Sequence, residues 1–506
     1  MATYLPFILL LASIFIYELR KRRLKLPPGP KGLPIVGNWF QLPAQRETVK
    51  TYNRWAEQYG DIVHVKDFGR YVFILNSLKA VDDLLEKRSN IYSSRPQFIM
   101  FHKLMGFGET TTFLPYGDKW RKHRTLFNQQ MNKRAIDQFE GSQYEAIEEL
   151  LRSILNSPTR THEHFRHMTG SIVLRFAYGY KAKAKDDPIY GVLNSNGAAF
   201  ARAIIPGAFL VDNIPILRYV PDWFPGAEFK KFATETRKRL QHSRELPFQT
   251  VKAELRAGNA SPSFMANALT ELGTDDESNE DVQAVKWVAN AFWAAGTDTT
   301  AATIAAFIQA MGTFPATMKK AQKEIDDVVG HTRFPEFNDR SALPYLDAIL
   351  KETMRWAPIF PAALPHSTTV DDVYEGYQIP AGSIVIPNVW RILKDPETYP
   401  DPSVFRPERF LPDENGGICE KDPTLTGAFG YGRRICAGKN LADATVWLAI
   451  ATLLWAFDFS DPRDENGKKL DPKVPPPPGA FFAPQKYTMD ITPRSKEIEA
   501  LIREGA

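Results

Sequence analysis

At 506 residues, 43% apolar and 24% charged, the chain has the composition of a globular protein and the length to bury a large core. A net charge of +4 is too small to point to a nucleic-acid partner. Its two cysteines, Cys419 and Cys436, fit a reducing compartment better than an oxidising one, although the count is compatible with a single bridge between them.

Ala2 to Tyr17 carries no charged residue and reads as one apolar helix. Sixteen residues span ~24 Å at ~1.5 Å each, short of a ~30 Å hydrocarbon core. A thinner bilayer and snorkelling side chains close that gap. Arg20, Lys21, Arg22, Arg23 and Lys25 follow, and positive charge stays on the cytosolic side. Residues 1–26 are therefore expected to form a membrane anchor with its basic flank. A helix lying in the interface is the alternative; a cleaved secretory signal fits less well, because the charge follows the apolar run. Pro27, Pro28, Pro30 and Pro34 make 27–35 a stiff hinge. No internal repeat or central linker divides 36–506, which is expected to be one domain.

Apolar and polar residues alternate from Gly60 to Leu75 around Phe68-Gly69-Arg70, the pattern of a hairpin. The stretch 95–115, with Phe98, Phe101, Met105, Phe107 and Phe113, reads as a loop with an apolar face. Trp120 and Arg124 stand four apart, on one face of the helix that follows. His162, His164 and His167 lie on a polar stretch and read as surface histidines rather than metal ligands. Residues 203–226 are apolar and broken by Pro206, Pro215, Pro221 and Pro225, followed by a charged helix from Ala227 to about Gly258.

From about Glu280 to Thr313 the sequence is apolar nearly all round, which predicts one long buried helix. In its middle stands Ala294-Ala295-Gly296-Thr297-Asp298-Thr299-Thr300. Glycine, aspartate and threonine are poor helix-interior residues, and a buried acid is costly without a partner. Such a local break in the rules marks a functional site. Glu352 and Arg355 share a face of a helix over Leu343–Pro358, and His366 precedes short strands at Val373–Ile379 and Ile384–Trp390. Phe405 to Phe410 carries Arg409. A loop at Pro475–Gly479 precedes a last sheet segment, Ala480–Ile491.

The densest signal is Phe429-Gly430-Tyr431-Gly432-Arg433-Arg434-Ile435-Cys436-Ala437-Gly438, with a helix expected from Lys439 to about Phe457. Thiolate is the metal-binding form of cysteine. The helix N-terminus and the charges of Arg433 and Arg434 are expected to favour it, while the glycines allow a bulky flat ligand to approach.

Phe429, Gly432, Arg434, Cys436 and Gly438 resemble the haem-binding loop of the cytochrome P-450 family, the haem-thiolate monooxygenases. Four other stretches resemble that family's motifs in the expected order. These are Trp120 with Arg124, the Ala295–Thr300 oxygen-activation motif, Glu352 with Arg355, and Pro407-Glu408-Arg409-Phe410. The resemblance implies a mainly α fold with small β-sheets (α+β), with haem b between the long helix and the cysteine loop. It makes Cys436 the axial ligand, sets Trp120, Arg124 and His366 at the propionates, and gives Phe429, Arg434 and Gly438 to the haem loop. Gly296 would leave space over the iron, and Asp298 and Thr299 would manage protons. Glu352, Arg355 and Arg409 would form a buried structural triad. The segment 203–226 would be a lid over the substrate channel. The implied activity puts one atom of dioxygen into a lipophilic small molecule. Electrons would come from NADPH through a cytochrome reductase, with cytochrome b5 as an optional donor, at the endoplasmic-reticulum membrane. The wording of 364–390 and 429–447 resembles membrane-bound fungal members of secondary metabolism. A haem-thiolate rearranging enzyme tends to lack the acid–threonine pair seen here, and a haem-binding sensor is the other alternative.

Overall fold

The computed structural model describes residues 24–43, 47–183, 186–204, 208–413, 417, 420–471, 481 and 487–505. The expected anchor helix, Cys419 and most of 475–486 lie outside the described residues. Among the described residues, no single helix is long and apolar enough to cross a membrane.

The fold is mainly α with small sheets. Helices of nine residues or more are α1 (Thr48–Tyr59), α2 (Asp118–Gln130), α3 (Glu140–Asn156), α4 (Thr161–Tyr178), α5 (Glu228–Arg256) and α6 (Phe264–Leu272). They continue with α7 (Glu280–Thr313), α8 (Pro315–Val328), α9 (Pro344–Trp356), α10 (Lys439–Ala456) and α11 (Lys496–Glu504). Helix α7 starts where Asn279 accepts the Asp281 amide and two acids meet the positive helix end. It stops before Pro315, which disfavours helix at the residue ahead of it. Its apolar surface is covered by α4, α6, α9 and α10, and α10 is itself fully buried from Val446 to Ala456.

Strands β1 (Ile62–Asp67) and β2 (Arg70–Leu75) form the expected hairpin. Phe68 and Gly69 both have positive φ, as a two-residue turn matched to strand twist requires. β2 pairs in parallel with β6 (Ile384–Pro387), which pairs antiparallel with β3 (His366–Ser367). Residues from opposite halves of the sequence thereby meet in one sheet. β4 (Asp372–Tyr374) and β5 (Tyr377–Ile379) make a second hairpin, and β7 (Phe457–Phe459) pairs with β8 (Ile491–Pro493). The final sheet segment is thus three residues that begin at Ile491, where the expected 480–491 stretch ends, and run on to Pro493.

Candidate active site

Cys436 ends the loop that enters α10. Its amide donates to Phe429 O at 2.8 Å, closing the loop on itself. Gly432 has φ of +56°, and a Cβ there would lie 2.1 Å from Leu85 O, so the turn admits no other residue without moving the backbone. The sulfur is enclosed by the fold, yet its side chain is open rather than packed. Both hold because it faces an internal space. Burial pushes the Cys436 thiol above its ordinary value, and the Gly438 amide, Arg124 and Lys439 pull the other way. The expectation that Arg433 and Arg434 favour the thiolate is therefore corrected. Arg433 turns outward to the Tyr116 hydroxyl, Arg434 directs two of its nitrogens to Ser93 O and Leu114 O, and desolvation outweighs the remaining donors.

Three arginines gather beside this loop. Arg434 donates to Ser93 O and Leu114 O, both at 2.6 Å, and its guanidinium covers the Trp120 ring at 4.5 Å. Arg95 donates to Leu364 O and Pro365 O at 2.7 Å and to Thr112 O at 3.2 Å. Arg124 donates to Ile435 O at 2.7 Å, next to Cys436. Among the described residues no carboxylate pairs with any of the three, and Arg434 Nη1 is buried without a partner. Burial, then the charges of Arg95 and Arg124, push Arg434 down to about 8. Burial alone pushes Arg95 down to about 10. His366, buried beside them, donates from Nδ1 to Tyr92 O at 2.8 Å. Burial, then Arg95 and Arg434, hold its pKa well below the ordinary range.

In the middle of α7 the burial breaks. Val282–Trp293 and Thr300–Gly312 are almost wholly buried, but Ala294, Ala295 and Asp298 are exposed and Thr299 half-exposed. Thr299 Oγ1 donates to Ala295 O at 2.6 Å, one turn back. Asp298 accepts from Arg166 Nε of α4 at 2.6 Å, and Arg166 also holds Asn194. Gly296 is not on the open face. A Cβ there would lie 2.9 Å from Val173 of α4, so this glycine lets α4 and α7 pack closely and leaves no space over a ligand.

A second arginine cluster lies under the loops after α9. Arg355 grips Glu352 through two bonds of 2.7 and 2.8 Å, and Arg409 reaches the same carboxylate at 3.3 Å. All three side chains are fully buried. The remaining donors of Arg355 go to Leu393 O, Pro402 O and Val404 O, fastening the chain that leads to the cysteine loop.

A family model described as cytochrome P-450 matches residues 27–489. The chain is a cytochrome P-450. It is 39% identical over 505 residues to the cytochrome P-450 monooxygenase ple1 of Rhodocybe pseudopiperita, covering 99% of this chain and 96% of the relative. It is 41% identical to the monooxygenase COX2 of Coprinopsis cinerea, over 98% and 95% of the two chains. It is also 37% identical to the tryptamine 4-monooxygenase of Psilocybe cyanescens, over 95% of each. The P-450 is accordingly an oxidoreductase, a monooxygenase of the kind found in fungi.

The family uses haem and dioxygen, and this chain's residues fit a haem. An open sulfur stands beside a cluster of cations that has no carboxylate partner among the described residues, and haem offers an iron and two carboxylates. Among the described residues no group of histidine, cysteine and acids is arranged to hold a bare metal ion, and His164 and His167 are spent on backbone carbonyls. The fold brings Trp120, Arg124, His366, Phe429, Arg434, Cys436 and Gly438 into one neighbourhood, with Asp298 and Thr299 on α7. Two participants carry no sequence signal. Arg95 joins the cation cluster through backbone carbonyls only, and Glu420 completes the second cluster by accepting from Arg409 at 2.6 Å and Arg406 at 3.1 Å.

Proposed function

We propose that this P-450 hydroxylates or epoxidises a lipophilic small molecule of fungal secondary metabolism, consuming one dioxygen and one NADPH with a proton and releasing the oxygenated product, water and NADP+. The observation that carries the proposal is the open Cys436 sulfur beside three arginines that have no carboxylate partner among the described residues. When bound, haem supplies the redox and oxygen chemistry.

The chain's own residues have definable tasks. Cys436 supplies one sulfur ligand, and the Gly438 amide and Arg124 stabilise its negative charge. Arg95, Arg124 and Arg434 hold two carboxylates and so fix the orientation of a flat ligand. Trp120 backs Arg434 through a cation–π contact. The proton of His366 sits on Nδ1, so contact with a carboxylate through Nε2 needs the imidazolium, which a carboxylate itself favours. Thr299 offers a hydroxyl at the open stretch of α7. Asp298, tied to Arg166, is placed to pass protons inward if that pair opens. The acid–threonine pair favours a monooxygenase over a rearranging enzyme.

The electron donor in this reading is an NADPH–cytochrome reductase, with cytochrome b5 as an optional second donor, and the site of action is the cytosolic face of the endoplasmic reticulum. The uncharged run 2–17 with its basic flank supports this. So does an apolar rim, with Leu33, Ile35 and Phe40 on one side and Ile216, Tyr219, Trp223 and Phe224 on the other, all exposed. The hairpin turn lies between them, bonded to Val36 through Phe68 and to Asn213 through Arg70.

Cys436→Ser tests the reading most directly. The reduced carbon-monoxide complex of the wild type is expected to show the red-shifted Soret band of sulfur coordination, and the variant to lose it. Wild-type protein loaded with haem that lacks this band overturns the assignment. NADPH-dependent oxygenation in a panel of lipophilic substrates supports the monooxygenase, whereas turnover without NADPH favours the rearranging enzyme.

A further inference from the structure

The cysteine loop rests on chain from the opposite end of the sequence. Residues 78–92 carry a short helix, Leu78–Val81, then a wide turn, Asp82–Glu86, and a second short helix, Ser89–Tyr92. In the wide turn the Lys87 amide reaches back five residues to Asp82 O at 3.0 Å. Such a turn inserts one residue, which rotates the positions after it by about 100° around the axis. Its last two residues, Leu85 and Glu86, both meet Gly432. A Cβ on Gly432 would lie 2.1 Å from Leu85 O and 3.2 Å from Ser89 Cβ. The Gly432 amide donates to Glu86 Oε1 at 2.6 Å.

Gly432 opens the single 3₁₀ turn Gly432–Arg434, whose first amide has no acceptor inside the turn and needs one from elsewhere. The turn then closes on itself: the Arg434 amide donates to Tyr431 O at 3.2 Å and the Ile435 amide to Gly432 O at 3.1 Å. Cys436 follows directly, so the placement of this turn sets where the sulfur stands relative to the Gly438 amide and Arg124. Glu86 has no competing task. Its neighbour Lys87 pairs with Asp82 and Asp83, Arg88 pairs with Asp372, and among the described residues no cation pairs with Glu86. The wide turn is braced from behind by the β4–β5 hairpin. The Tyr374 hydroxyl donates to Asp83 at 2.8 Å, and Lys79 joins Asp83 to Glu375 at 3.1 and 2.8 Å. A carboxylate carried on a braced turn and spent on one amide makes a short, charge-assisted and directional bond.

We propose that Glu86 is a positioning residue for Cys436: by holding the Gly432 amide it fixes the turn that carries the sulfur and keeps the Gly438 amide and Arg124 directed at it. What the sulfur binds rests on the haem-thiolate reading; the latch between Glu86 and the loop does not.

The test uses full-length, haem-loaded protein with Glu86→Ala, with Glu86→Gln, which keeps an acceptor oxygen, and with Lys87→Met, which alters the same turn without touching the loop. The amides of Arg434, Ile435 and Cys436 bond inside the loop, so their hydrogen exchange reports on the loop and not on the deleted bond. Their exchange is expected to rise about tenfold in Glu86→Ala, the weight of one charge-assisted hydrogen bond, and about threefold in Glu86→Gln, since a neutral acceptor is roughly half as strong. Lys87→Met, and α10 in every variant, should exchange as in the wild type. The second readout is the reduced carbon-monoxide complex at fixed pH and temperature. Its red-shifted Soret band is expected to decay several-fold faster in Glu86→Ala, and less so in Glu86→Gln, because a displaced sulfur loses its donors. Wild-type exchange at 434–436 in Glu86→Ala, or a band as durable as that of the wild type, overturns the latch. So does exchange that rises equally throughout α10, which marks a general loss of stability. Glu86 is exposed and its removal leaves the core intact. If Glu86→Ala still fails to accumulate, unchanged exchange at 434–436 in Glu86→Gln overturns the latch instead. A wild type without the red-shifted band defeats the haem-thiolate reading, and exchange in the haem-free chain still judges the latch.

Discussion

The cluster around Glu352 and the cluster around Arg434 both draw arginine out of water, and they balance that charge in different ways. Around Glu352 each buried guanidinium meets a carboxylate of the same chain. Arg355 and Arg409 share Glu352, and Arg409 also has Glu420. Around Arg434 the arginines meet backbone carbonyls, one another and the Trp120 ring, and burial lowers the pKa values of Arg95 and Arg434, with the neighbouring arginines adding to the fall at Arg434. Burying unpaired charge is expensive, and a fold that keeps such a cluster has a use for it. The first cluster is complete within the polypeptide and fastens loops. The second, in the function proposed above, is completed by the carboxylates of the ligand.

Removing one partner should break the complete cluster more severely than any change to the other. Glu352→Gln leaves Arg355 without its acid and Arg409 with Glu420 alone, a loss expected to cost about 3–5 kcal/mol. A urea titration of the purified enzyme should show this as a midpoint shift or as failure to accumulate folded protein. Arg434→Met removes a charge that has no acid to leave behind, and its midpoint should move far less. Equal losses in the two variants would erase the distinction between the clusters.

The second test sharpens the distinction through the ligand. Haem esterified at both propionates keeps its iron and its shape but offers no carboxylate. Each charge-assisted hydrogen bond lost should weaken retention by about 1.5–3 kcal/mol. Transfer to a haem scavenger should therefore be much faster for the ester than for haem in the wild type, and the gap should narrow in Arg434→Met. A wild type that holds both equally well would mean that the arginine cluster does not grip propionates.

The same contrast explains what could be read from the sequence. The Cys436 loop and the Glu280–Thr313 helix are local. Their glycine, cysteine and apolar spacing lies within a few turns of chain, and both boundaries fell where expected. Arg95 and Glu420 act through contacts far along the chain: Arg95 bonds Leu364 O, and Glu420 meets Arg409 across an irregular loop. A lone arginine or glutamate in such a stretch carries no period or spacing that marks it. Gly296 was misjudged for a related reason. Its presence in the motif is legible, but which neighbour its bare face meets depends on how α4 docks, and that is a tertiary fact.

The smallest of these effects is a pH dependence confined to the incomplete cluster. Burial and the flanking arginines hold His366 well below the ordinary histidine pKa of about 6.5. In the unfolded chain His366 titrates near that ordinary value. Below it the unfolded state binds a proton that the folded state refuses, so stability rises with pH there. The contribution is whole above about pH 6.5 and is lost as the pH falls toward the depressed folded value, by up to about 1.4 kcal/mol per pH unit. His102 and His123, each lowered to about 4 by burial, add to the same acid lability and remain in any variant of this cluster. The informative quantity is therefore a difference. Urea midpoints of the haem-free form at pH 7.5 and 5.5 should fall less steeply for His366→Gln than for the wild type. Haem should reduce the wild-type slope as well, because a carboxylate beside His366 raises its pKa toward the unfolded value. A slope that haem leaves unchanged would place the carboxylates away from this histidine and leave the three arginines to hold them alone.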